Sequence, residues 1–357
     1  EMCIRDRIEI KPTTNLTDSP SGLDFTLHQP QDNDLGSRAT ASLRDATVSF
    51  PAGVAVNPSQ AAGLGACSEE QVGFLEADPE GMLRFSKAPQ SCPNAAKIGT
   101  MEVSSPALVR RNASQEVEKT PEGESILEPL KGSVYIAQPF ANPFDSLIAV
   151  YLVIEDEKTG IVAKLAGEGQ LNPATGQVST RFEENPELPF EDVKVHLFGG
   201  ARGALITPPT CGQFAGEAQL TPWSAPEGKD ALPSDAFALG QTPVGGPCPT
   251  SEDQLPKTHA FSAGSAIPTA GHYSPLLFKL SREDATQRFS VIDATLPTGL
   301  AAKLAGVGQC SEAQIAAARS REAPQKGALE QASPSCPASS EIGTAIAAAG
   351  AGPTPYY

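Results

Sequence analysis

Phe50-Pro51-Ala52-Gly53, Cys67-Ser68-Glu69-Glu70-Gln71-Val72, Ser91-Cys92-Pro93 and Ile98-Gly99-Thr100 form a cassette that this chain writes twice. The second copy reads Leu296-Pro297-Thr298-Gly299, Cys310-Ser311-Glu312-Ala313-Gln314-Ile315, Ser335-Cys336-Pro337 and Ile342-Gly343-Thr344. Cys310 follows Cys67 by 243 residues and Cys336 follows Cys92 by 244, so the frame holds across the stretch. Writing a domain twice is how chains gain length, and length serves mechanical or adhesive ends.

Each copy opens on a period-two alternation. Ala46, Val48 and Phe50 point one way and Thr47 and Ser49 the other, while Ile292, Ala294 and Leu296 repeat the pattern. The prolines that follow remove a ladder donor and end the strand. Phe25-Thr26-Leu27 and Phe278-Lys279-Leu280 read as the partner strands. Directly after the first cysteine of each copy comes an S-x-x-Q capping box, Ser68 with Gln71 and Ser311 with Gln314. It predicts a short helix, pinned by a disulfide as a plug over one end of the domain.

Setting Cys3 aside leaves six cysteines, for which fifteen pairings exist. If the two copies fold alike, Cys67 pairs with Cys92 and Cys310 with Cys336, and Cys211 is left for Cys248. Sequential pairs in even number point to an oxidising compartment, hence to an extracellular or cell-surface protein. The competing reading is buried free thiols. No Cys-x-x-Cys occurs, which speaks against zinc.

The 33 prolines and 32 glycines argue against long helices. A net charge of −16 offers no basic face for nucleic acid. No apolar run approaches the roughly 18 residues needed to cross a bilayer; Leu147 to Ile154 is a buried-strand pattern. From Lys131 onward strand signals recur every ten or so residues without helices between them. They are Val134-Tyr135-Ile136, Leu147–Ile154, Ile161-Val162-Ala163, Val178/Thr180/Phe182 and Val193/Val195/Leu197, with turns at 155–160, 172–176 and 199–200.

The expected fold is therefore all-β: tandem antiparallel immunoglobulin-like β-sandwich domains, with one disulfide-pinned helix per A-type domain. Residues 1–10 read as a non-native leader, 11–110 as an A-type sandwich, and 111–130 as a linker or excursion. Residues 131–260 read as a B-type sandwich and 261–357 as a second A-type sandwich, truncated at its C-terminus. Both ends of the sequence read as those of a fragment.

Pro20-Ser21-Gly22-Leu23-Asp24, Gly63-Leu64-Gly65-Ala66-Cys67-Ser68, Leu130-Lys131-Gly132-Ser133-Val134-Tyr135, Pro208-Pro209-Thr210-Cys211-Gly212, Pro222-Trp223-Ser224 and Gly352-Pro353-Thr354-Pro355-Tyr356-Tyr357 carry a resemblance over residues 11–357. The chain resembles very long secreted actinobacterial β-sandwich repeat proteins of uncharacterised function. The resemblance implies architecture and export, and assigns no catalytic or binding residue.

Catalytic patterns are sparse. His28, His196, His259 and His272 have no G-x-S-x-G elbow and read as surface residues. Glu183, Glu184, Glu187, Glu191 and Asp192 supply carboxylates of the kind glycoside hydrolysis uses, but they cluster around Pro186 and Pro189 in a loop. Asp32-Asn33-Asp34-Leu35-Gly36 opens like a calcium loop, yet the twelfth position is Leu43; a hydrogen-bonded turn is the competing reading. Gly199-Gly200-Ala201-Arg202-Gly203 runs into prolines rather than a helix and is not a phosphate loop. No cofactor is expected, and no enzyme. The expected function is a non-catalytic structural or adhesive repeat segment of a large extracellular protein, touching an envelope or extracellular polymer. The alternative is a carbohydrate- or other ligand-binding module in which Trp223 stacks on its ligand.

Overall fold

The computed structural model describes residues 6–31, 40–76, 78, 83–172, 176–303, 305–321 and 326–357. The Asp32–Gly36 turn and residues 173–175 of the turn at 172–176 lie outside the described residues. By its contacts the chain divides into two units, residues 1–248 with 349–356, and residues 249–348 with Tyr357.

The first unit is all-β, built on strands β1 (Arg7–Pro12), β2 (Leu23–His28), β3 (Leu43–Ser49), β4 (Lys97–Ser104), β5 (Leu130–Ile136) and β6 (Ala149–Asp156). It continues with β7 (Ile161–Leu171), β8 (Val178–Phe182), β9 (Asp192–Leu197), β10 (Gly212–Pro222) and β11 (Ser234–Leu239). All eleven belong to one sheet, in the order β1-β2-β9-β4-β5-β6-β7-β8-β3-β10-β11, and every neighbouring pair is antiparallel. The sheet curls until its edges meet: Ile10 N donates to Asp235 Oδ2 at 2.8 Å, joining β1 to β11.

This topology corrects the expected domain map. β3 lies between β8 and β10, and β9 lies between β2 and β4, so residues 11–110 and 131–248 interleave in one sheet. They do not form two sandwiches in tandem. The pairing of β2 with β3 is also overturned, since β2 bonds to β1 and β9. Alternation records which face a residue takes, not which strand lies beside it. Residues 7–10, read as part of a non-native leader, form most of β1 and bury Ile8 and Ile10 in the core. Of residues 111–130, expected as a linker or an excursion, those up to Leu127 fold back as an excursion, with bridges joining Val109 to Leu127, Arg111 to Val117 and Lys119 to Ser125, and Leu130 opens β5.

The inward alternation is strict along β6 and β7. Val150, Leu152 and Ile154 sit opposite Gly167, Leu165 and Ala163. Gly167 is required there, because a Cβ would lie 2.4 Å from the Phe182 ring. On the outer face Tyr151, Val153 and Ala166 pack with Cys67, Val72, Phe74 and Cys92. The helix α1 (Glu69–Val72) begins at Ser68, whose side chain accepts from Gln71 N while Gln71 reaches back to the Ser68 N–H. The stapled segment thus covers the outer face of β5–β7, not an end of the domain.

The second unit holds the hairpin β12 (His259–Ser265) and β13 (Leu276–Arg282), then α2 (Glu312–Arg319) and α3 (Lys326–Ala332). Ser311 and Gln314 form the same reciprocal cap, and a 3-10 turn after Pro337 matches the one after Pro93. Two expectations fail here. Ile292 and Leu296, expected to face inward on a strand, lie outside any strand, 67% and 44% exposed. The corresponding strand of the first unit, β3, is held by β8 and β10, and residues 249–348 contain no counterpart of either among those described. The sequence around His259 reads as a loop, whereas His259 lies on β12 with its ring 4.5 Å from that of Phe289.

Candidate functional site

Curling a sheet whose inward residues are apolar but for Thr180 encloses an apolar lumen. Phe25, Met101, Val134, Leu152, Phe182 and Val195, from six different strands, face it. The space left between them is about 400 Å³. Interiors normally pack to crystal density with few voids larger than a water molecule. Side chains that line such a space forfeit contacts they would make in a packed core, so leaving it unfilled costs stability. Water gains little in such a place, because the lining presents almost nothing to bond.

The lumen opens at one end. Ala107, Leu188 and Pro189 line it and are exposed, so the mouth lies between the turn after β4 and the loop joining β8 to β9. That loop carries Glu183, Glu184, Glu187 and Glu191. The carboxylates do not converge on a pair facing a cleft: Glu184 N donates to Asp45 Oδ1, Arg181 pairs with Glu183, and Asp192 lies on β9 against His28. Trp223 sits beside the mouth. Its Nε1 donates to Asn185 O at 2.9 Å, and the Arg44 guanidinium lies 5.6 Å from its ring centroid. The ring face expected to stack on a ligand is engaged on that side by Arg44.

The outer face is polar where the lumen is not. Across β2 and β9, His28 Nδ1 meets Asp192 Oδ1 at 2.8 Å and His196 Nδ1 meets Asp24 Oδ1 at 2.6 Å. These follow from register, since Asp192 stands opposite His28 and His196 opposite Asp24. Thr26, Glu102, Lys131 and Lys194 occupy the same charged band. Polar outside and apolar inside is the reverse of a barrel whose outer wall meets lipid.

A buried cation fixes the stapled segment to this wall. Lys164 on β7 is wholly buried, donating from Nζ to Ala88 O at 2.6 Å, with Glu155 Oε1 at 3.4 Å. Glu155 also accepts from Gln90 N at 2.7 Å, and Gln90 Nε2 donates to the Tyr135 hydroxyl at 3.0 Å. Tyr151 lies beneath, edge-on to Phe74 with centroids 5.2 Å apart. Burial, with the Glu69 charge adding to it, pushes its phenol well above the ordinary range.

Cys67 is bonded to Cys92, Cys211 to Cys248 and Cys310 to Cys336. Three such bridges fit an oxidising, extracellular environment. Among the described residues no three His, Cys, Asp or Glu side chains gather as a metal site, and no helix is long and apolar enough to cross a membrane. Sequence reasoning did not find the lumen. The signal it left was the number of strands with unbroken aliphatic inner faces. Comparison of the chain with protein-family models, curated proteins and solved structures finds no match.

Proposed function

We propose that this chain is a non-catalytic structural or adhesive segment of a large extracellular or cell-surface protein, built by repeating a disulfide-stapled β unit. One observation carries the reading: the two cassettes agree in backbone detail as well as in sequence. Ser68 and Ser311 cap their helices at φ/ψ of −82°/163° and −71°/157°. Gly65 N donates to Ala95 O, and Gly308 N to Ser339 O, both at 2.8 Å. The bridges close loops with sequence separations of 25 and 26 residues. A stapled loop of about 25 residues stabilises by roughly 3.5 kcal/mol through the unfolded chain alone, which suits a segment under load.

Force spectroscopy on a concatenated chain tests this. Repeating unfolding peaks, with contour length shortened by the stapled loops and restored on reduction, are expected. Unfolding at forces indistinguishable from those of an unstructured linker would refute a mechanical role. Recognition of an envelope or extracellular polymer is tested separately by co-sedimentation.

A further inference from the structure

An open apolar tube adds nothing to a purely mechanical segment, since larger inward side chains would fill it and stabilise the unit. We infer that the lumen of the first unit is a binding site for a single linear hydrocarbon chain, carried by an amphiphile with an uncharged head.

The lining fixes the chemistry. No charged side chain faces the lumen, and its polar residues are Gln60, Ser105, Thr180 and Asn185. Ser105 Oγ donates to Pro189 O and Asn185 Nδ2 to Arg44 O, each at 2.8 Å, so these two ask nothing of a ligand. Phe25, Val150, Leu165 and Val195 face inward yet stay half-exposed, and the surface they expose borders the lumen. Closed sheets of this kind hold one small ligand in an apolar interior with few polar groups.

The dimensions fix the shape. From Ile148 to Ile154 the lining runs about 20 Å at roughly 3.3 Å per residue. A volume of about 400 Å³ drawn out along that length suits one extended alkyl chain. The rim fixes the head. Glu183, Glu184, Glu187 and Glu191 lie on the loop that supplies Leu188 and Pro189 to the mouth. Arg181 offsets Glu183, and Arg44 beside Trp223 is matched by Asp45, so the loop keeps an excess of carboxylates and a carboxylate or phosphate head would meet like charge there.

Trp223, the chain's single tryptophan, contacts the mouth loop through Asn185 O and reports on it. The test titrates the whole chain with dodecan-1-ol, dodecanoate and cholesterol, following Trp223 emission and counting bound molecules by native mass spectrometry. Saturable one-to-one binding of dodecan-1-ol, at least tenfold tighter than either other probe, is expected. Equal binding of dodecanoate would overturn the uncharged head, equal binding of cholesterol the linear chain, and no saturable binding the whole inference. Ala163→Phe and Val150→Phe project a ring into the lumen. Both are expected to melt no lower than the parent and to weaken dodecan-1-ol at least tenfold. If both melt well below the parent or fail to fold, the space is absent and the inference falls. Flotation with phosphatidylcholine vesicles, abolished by Ala163→Phe, would show uptake of a two-chain phospholipid and overturn the single-chain, uncharged-head assignment. Dodecan-1-ol binding without flotation would assign a free single-chain amphiphile.

Discussion

Ile10→Ala is the sharpest probe of how the first unit closes. Ile10 is 0% exposed, and its Cδ1 fills the space beside Gly216, where an added Cβ would come within 2.5 Å of it. Removing its outer three carbons forfeits about 2.4 kcal/mol of transfer energy at about 0.8 kcal/mol per carbon. The cavity left behind brings the loss to about 3.5 kcal/mol, inside the 2–5 kcal/mol range of such truncations. For a unit of this size each kcal/mol moves the melting temperature by about 2–4 °C, so a fall of roughly 7–14 °C is expected. Trp223 emission reads the first unit selectively, because the chain's one tryptophan lies in it. Asp235→Ala removes the acceptor of the Ile10 N–H and should cost about 1.5 kcal/mol at this half-buried position. The double variant should lose less than the two single losses combined, since both act on one seam. An Ile10→Ala protein that melts within a degree of the parent would refute the place of β1 in the fold.

Three further outcomes are expected. Replacing Cys67 and Cys92 by Ser should lower stability by about 3.5 kcal/mol, the entropy of closing a loop of that length; an unchanged denaturant midpoint would show that the staple constrains nothing. Lys164→Met keeps the bulk but strands Ala88 O without its donor, so about 2 kcal/mol should be lost and proteolysis of residues 83–92 should quicken. Tyr151 makes the unit alkali-sensitive: the unfolded phenol ionises near pH 10 while the folded one holds its proton, so stability declines as pH rises past about 10. Tyr151→Phe should flatten that decline and, by removing a buried hydroxyl that has no hydrogen-bond partner, leave stability at neutral pH equal or higher.

What the sequence disclosed follows the range of the forces involved. The Ser68 and Ser311 caps are fixed within four residues, and both were readable. So were the faces of Val48 and Val195, because pleating alternates side chains whatever the neighbours are. Neighbour identity is a long-range choice: Thr180 stands opposite Val48, and nothing local to either residue specifies that. The same gap explains why Ile292 and Leu296 read as a strand and are not one, since propensity supplies a pattern but partners supply the bonds. Ile8 and Ile10 were set aside because their surroundings read as foreign, although their own alternation was sound. The lumen was illegible for another reason. A row such as Val150, Leu152 and Ile154 reads alike whether it fills a core or lines a hollow, and only summed volumes in three dimensions tell the two apart.

Parity has a last consequence. Ten successive reversals of direction separate β1 from β11, so the two edge strands run the same way. An antiparallel ladder cannot be completed between them. The Asp235 carboxylate clasps Ile10 N, and past the strand ends Leu16 and Gln241 form a parallel bridge in which Thr17 N donates to Gln241 O at 2.9 Å. The wall is therefore a coat with a buttoned front rather than a seamless hoop. Tension applied across β1 and β11 would part it at that clasp and that bridge, while every other neighbouring pair stays laced.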